Sequence, residues 1–136
     1  ASVLCGPGGR IVLPPCWQRL SNDGRFTYRG GSVILEPPLA RRAASLTQQA
    51  LDAMPPAHGY VGVDLVLGEA VDGRDDVAIE INPRLTTSYV GLRHAVNQNL
   101  AQALLDVARG VAAEVTPRDC RIEFSADGSV WTDREA

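Results

Sequence analysis

Two strand-like alternations, residues 60–67 and 77–82, flank the polar stretch 68–76, and their parity constrains the fold more than any other feature of the chain. Successive side chains of a strand point to opposite faces. In the first run Val61, Val63, Leu65 and Leu67 share one face, which must be core, while Tyr60, Gly62, Asp64 and Val66 share the other. In the second run Val77, Ile79 and Ile81 form the core parity, and Ala78, Glu80 and Asn82 the opposite one. Two acids and an amide therefore lie on non-core faces, directed outward. Whether they meet depends on register. Directly paired residues of an antiparallel hairpin point to the same side of the sheet. Asp64 joins Glu80 and Asn82 only if paired residue numbers total an even value, such as 144 or 146. A two-residue Asp72-Gly73 turn gives 145 and drives Asp64 into the core, so an odd-length loop or a bulge is expected despite the Asp-Gly signal.

Two carboxylates and an amide oxygen are hard ligands that suit Mg²⁺ or Mn²⁺, especially when substrate phosphates complete an octahedron. Arg84 follows two residues after Asn82. Its planar fork suits a carboxylate or a phosphate. Pro83 stiffens the exit, and residues 85–91 form a hydroxyl-rich loop. The plainer alternative is a pair of acids on a solvated sheet face, where Asp and Glu ordinarily reside.

The rest of the chain reads as an α+β domain. Apolar runs at 2–5 and 10–14 flank the turn Gly6-Pro7-Gly8-Gly9 and predict a hairpin. That glycine cluster lacks the Gly-Lys ending of a phosphate loop, and a turn is the better reading. Residues 26–35 are strand-like, and Gly30-Gly31 within them signals a bulge or the close approach of another backbone. A helix is expected over 39–54, with Pro37-Pro38 before it and Pro55-Pro56 after it. A second helix is expected over 88–109, with Leu92, Val96, Leu100, Leu104 and Val107 in helical period. The expected architecture is a mainly antiparallel sheet with two helices packed on one face. Residues 1–110 form the main unit, and 111–136 a tail with a β-hairpin around Ala126-Asp127-Gly128.

Composition excludes several functions. The length of 136 residues suits one compact domain. All 13 basic residues are Arg, so no lysine nucleophile, Schiff-base lysine or P-loop lysine exists in this sequence. The arginines are scattered and the net charge is −3, which argues against a nucleic-acid surface. No apolar run reaches the roughly 18 residues of a membrane span. No secretory signal is visible. Cys5, Cys16 and Cys120 are widely spaced, which disfavours zinc and reads as reduced thiols in a cytoplasmic protein. The opening at Ala1, directly in an apolar run, reads as the start of a fragment.

Among other residues, Arg10, Gln18 and Arg19 sit on strands ahead of the acids and are candidates to face a ligand, as are Tyr28 and Gly30-Gly31. Thr86, Thr87 and Ser88 either cap the second helix or contact substrate, and both readings stand. His58 and His94 read as structural or exposed, and Trp17 and Trp131 as packing residues.

The segment Glu80-Ile81-Asn82-Pro83-Arg84, preceded by Asp64 in Gly-Tyr-Val-Gly-Val-Asp-Leu-Val-Leu, resembles the C-terminal part of the ATP-grasp family. The longer run from Glu80 to Arg93 is similar to the tyramine–glutamate ligase branch of that family. The resemblance extends over about residues 2–109 and is strongest at Asp64 and 80–84. It implies that Asp64, Glu80 and Asn82 bind Mg²⁺ ions (or Mn²⁺) that bridge ATP phosphates; beside it, Arg10, Arg19 and Asn82 are the candidates to bind the nucleotide. It implies that Arg84 stabilises the transferring phosphoryl group or holds an acyl phosphate. The implied reaction is ATP-dependent activation of a small-molecule carboxylate, then attack by an amine. The family's adenine clamp, phosphate-binding lysines and Gly-rich loop lie upstream of this segment, and some ligases carry an Arg where this chain has Gly62. An incomplete ligase half is therefore expected, cytoplasmic and without a membrane or nucleic-acid partner, completed by an N-terminal half or by homo-oligomerisation. The alternatives are a non-catalytic scaffold module derived from the same family, or a plain structural domain with solvated acids.

Overall fold

The computed structural model describes residues 1–133, so the last three residues of the expected tail lie outside it. Eight strands and three helices follow in the order β1 (Ser2–Gly6), β2 (Gly9–Val12), β3 (Cys16–Leu20), β4 (Tyr28–Val33), α1 (Pro37–Asp52), β5 (Gly59–Val66), β6 (Val77–Asn82), α2 (Ser88–Ala95), α3 (Leu100–Ala108), β7 (Arg121–Ser125) and β8 (Val130–Asp133). The α+β class expected from the sequence is the observed one. Its layout is more divided than expected, with two antiparallel four-stranded sheets, ordered β2-β1-β5-β6 and β3-β4-β7-β8.

The first sheet is covered on both faces. Val3, Cys5, Val61 and Val63 pack against Leu51 of α1. Leu4 and Tyr60, of the opposite parity, pack with Leu92 of α2 and with Leu100 and Val107 of α3. The helices thus lie on opposite faces rather than on one, because both parities of β1 and β5 are apolar at this end of the sheet. The second sheet closes against α2. Phe124 of β7 is fully buried there. It reaches this depth because Gly91 and Gly31 carry no side chain: a Cβ would stand 2.3 Å from the Phe124 ring at Gly91 and 2.8 Å from it at Gly31. The close approach of another backbone that Gly30-Gly31 signalled is also present, since a Cβ would collide with the Phe124 carbonyl at Gly30 and with the Trp17 carbonyl at Gly31.

The helix expected over 88–109 is two helices. Val96 is extended, and Asn99 caps α3 by accepting from the Gln102 amide. The intervening Asn97 and Gln98 bond to Thr116, which ties the break to the segment after α3. The apolar period survives the break, since Leu92, Val96, Leu100 and Val107 are all buried. A regular stripe therefore hid the Asn cap. In α1 the buried stripe is Ala43, Thr47 and Leu51. Thr47 satisfies its hydroxyl on the Ala43 carbonyl at 2.7 Å. Met54 lies beyond the helix and is exposed.

Candidate functional site

The register of β5 with β6 decides the site. Gly62 pairs with Asn82, Val63 with Ile81 and Asp64 with Glu80, after which a bulge shifts the pairing to Leu65 with Ala78 and Val66 with Val77. The even register and the bulge are those the parity argument required. Directly opposed residues on one face have Cβ atoms about 5 Å apart. Asp64 and Glu80 therefore stand side by side, with Asn82 one pair along on the same face. The bulge also corrects an expectation. Ile79 is the extra residue, left unpaired and 66% exposed, and Val77 beyond it is exposed rather than core. One inserted residue exchanges the faces of everything past it.

Asp64 is half-buried and Glu80 exposed. They line a cleft of about 260 Å³ between the two sheets. Gln18 and Tyr28 line it from the second sheet, and Thr86, Thr87 and Ser88 from the start of α2. Gln18 Nε2 donates to Asp64 Oδ1 at 2.8 Å. Arg84 Nη2 donates to Asn82 Oδ1 at 3.3 Å, so the guanidinium sits beside the donor set. Among the described residues no hydrogen bond reaches the exposed Glu80 carboxylate. The floor is a cluster of hydroxyls. Thr86 Oγ1 and Ser88 Oγ are 2.7 Å apart, Tyr60 OH is 3.4 Å from each, and Ser2 Oγ is 3.1 Å from Ser88. Thr86 comes this close because position 62 is glycine, where a Cβ would stand 2.4 Å from Thr86 Cγ2. A longer side chain at position 62 has no room unless Thr86 moves.

Two titratable groups on the wall stay neutral. Burial pushes the Cys16 thiol up to about 12, so it offers no thiolate nucleophile. Burial, reinforced by Cys16 and Asp64, pushes the Tyr28 phenol up to about 12, so it remains a hydrogen-bond donor.

The structure does not bring Arg10 or Arg19 to this cleft. Arg10 pairs across from Cys5, which in turn faces Gly59, at the end of the sheet away from Asp64. Its guanidinium binds Asp52 and the Leu51 carbonyl. Arg19 has the opposite parity to Gln18 and donates to the Phe124 carbonyl and to Glu123. Trp17, expected as packing, is 41% exposed and lines the cleft, and Trp131 is also exposed. Cys16, Leu20 and Ser2 are lining residues that the sequence did not single out. Alternation along 16–20 was the available signal, masked by polar residues on both faces.

The donor set fits a hard divalent cation: two carboxylates and an amide oxygen on adjacent strands, with one carboxylate free of protein donors. Among the described residues no group of three acidic, His or Cys side chains is arranged to hold a metal, so phosphate or water oxygens would complete the shell.

The family model described as an ATP-grasp domain matches residues 1–88 of this chain. The tyramine–L-glutamate ligase of Methanocaldococcus jannaschii is 33% identical over 97 residues, which are 71% of this chain and 29% of that protein. The tyramine–L-glutamate ligase of Methanocaldococcus fervens is 30% identical over 97 residues, 71% of this chain and 31% of that protein. The matched stretch is therefore about a third of the length of these curated relatives. No solved structure gives a significant match.

Proposed function

The chain belongs to the ATP-grasp family, and on that premise we propose that it is the metal- and phosphate-handling part of an ATP-dependent carboxylate–amine ligase. The observation that carries this reading is the register that sets Asp64, Glu80 and Asn82 on one face of one cleft. In this proposal residues 1–110 are the ATP-grasp part, and Asp64, Glu80 and Asn82 hold Mg²⁺ or Mn²⁺. A cation held by these residues would supply charge neutralisation to ATP phosphates during phosphoryl transfer to a substrate carboxylate. Gln18 fixes the orientation of Asp64 by its hydrogen bond. Arg84, anchored to Asn82 and to the Leu85 carbonyl, turns its remaining N–H groups toward the transferring phosphoryl group or the acyl phosphate. The hydroxyl floor gives polar contacts to the carboxylate substrate, which an amine then attacks. The names of the two relatives favour an amino-acid carboxylate and an amine as substrates. Arg10 and Arg19 act as structural ties in this scheme. This sequence contains no lysine, so in this proposal any lysine that contacts phosphate comes from a further segment or a second chain. The proposed setting is cytoplasmic; Cys5, Cys16 and Cys120 form no disulfide, and among the described residues no helix is long and apolar enough to cross a membrane.

Thermal unfolding with ADP and Mg²⁺ or Mn²⁺ tests the proposal. A ligand at 100 times its Kd that binds only the folded state stabilises it by about 2.7 kcal/mol. The expected result is a metal-dependent rise of several degrees that Glu80→Gln abolishes. No rise in the folded wild-type chain would leave a scaffold module of the same family as the better reading.

A further inference from the structure

A second concavity, of about 380 Å³, shares no lining residue with the carboxylate cleft. It opens between the β2–β3 connection, the first turns of α1, the end of α2 and the segment after α3. Its wall is aliphatic, built from Leu13, Ile34, Leu35 and Val115 among others, and its only charged lining residues are Arg41 of α1 and Arg118. Leu35 is half exposed there. The two arginines come from segments far apart in sequence, and both are exposed. Among the described residues neither guanidinium has an ion-pair partner. Glu36, Glu114 and Asp119 lie near in sequence, but none lines the groove.

Small-molecule sites are concave, mostly apolar, and oriented by a few placed polar groups, with volumes of roughly 300–1,000 Å³. This groove meets that description. The arginine fork matches a planar carboxylate, and a singly charged head loses less hydration beside an aliphatic wall than a phosphate dianion does. We propose that the groove binds a small amphiphilic carboxylate, with its apolar body along Leu13, Ile34, Leu35 and Val115 and its head on Arg41 and Arg118. Binding is independent of the ligase reading, because the two sites share no residue.

The test uses octanoate as probe, followed by calorimetry and by the methyl shifts of Ala44 and Ala95, both of which line the groove. Octanoate is expected to saturate and to shift both methyl groups. Octanol (the same body without charge) and octylamine should each bind at least about tenfold more weakly, the scale of one lost charged hydrogen bond, and acetate (the head without the body) should bind at least as weakly because it loses the buried methylenes, worth about 0.8 kcal/mol each. The double variant Arg41→Gln/Arg118→Gln should lose octanoate affinity by a similar factor at unchanged melting temperature, since both side chains are exposed and have no ion-pair partner among the described residues. Saturating Mg²⁺ should leave octanoate binding unaltered. The proposal is overturned by equal binding of octanol or octylamine, by undiminished affinity in the double variant, by competition from Mg²⁺, or by absence of saturable binding. It is equally overturned if sedimentation shows two copies joined through this face and octanoate excluded from it.

Discussion

Position 62 carries no side chain, and Thr86 occupies the space one would take. The Thr86 hydroxyl in turn joins Ser88 and Tyr60 on the cleft floor. Gly62→Ala is therefore expected to cost about 1–3 kcal/mol by overpacking, measured by urea unfolding. Thr86→Ser in the same background should recover much of that loss, because it removes the colliding methyl and keeps the hydroxyl. Equal stability of Gly62→Ala and wild type would mean that Thr86 is not anchored over the strand. In the sequence, glycine at this position was visible only as a departure from a family pattern. Its physical reason lies 24 residues away in a loop, where no local pattern could reveal it. Arg10 and Arg19 show the converse. An arginine on a strand near acids looks like an anion-binding group, yet each is already engaged by a carboxylate and a backbone carbonyl.

At the scale of elements, the loop between β5 and β6 is held by one paired contact. Arg42 of α1 donates from Nε to Asp76 Oδ2 at 3.0 Å and from Nη2 to Asp76 Oδ1 and to the Gly68 carbonyl. The side chains are only 17% and 6% exposed. The guanidinium holds the Asp76 carboxyl below its ordinary 3.8, helped by the Gly68 amide. A depressed native value contributes stability that is complete above the ordinary one and is lost as pH falls through the lower native one. Wild-type stability should thus drop on acidification below about pH 4, where Asp76 takes up its proton. Asp76→Asn should melt lower at neutral pH and show a shallower acid slope in thermal unfolding across pH 2–6. An identical slope in both proteins would show that this pair does not tie the loop. The start of α3 offers a separate test. Asn99→Ala removes the cap on the Gln102 amide and should cost about 1 kcal/mol in denaturant unfolding. That cap marks the helix break, and Asn99 was legible in the sequence only as one polar residue within an unbroken apolar stripe.

For the whole molecule, the second sheet depends on residues distant in sequence. β7 pairs with β4, Ile122 belongs to the main core, and Phe124 lies under α2 between Gly31 and Gly91. Phe124→Ala is expected to cost about 3–5 kcal/mol, read by urea unfolding. A chain ending at Gly110 loses this strand pair, and amide exchange should accelerate in β4 and α2 while β1 and β5 stay protected. Uniform protection after that truncation would show that residues 111–133 do not stabilise the second sheet.

Alternation along 60–67 and 77–82, and the demand for an even register or a bulge between them, are properties of extended backbone. They need no knowledge of what covers the sheet, so the sequence by itself determined that Glu80 and Asn82 share a face and which register would bring Asp64 to it, while the pairing of β5 with β6 supplied that register. The absence of lysine was equally explicit. Tertiary structure alone decided that this face lines a cleft, because its roof is β3 and β4, joined to β7 by pairings that span about 90 residues. It also decided that α1 and the other two helices lie on opposite faces of the first sheet. Both parities of β1 and β5 are apolar, and an apolar parity says that something must cover it without saying what.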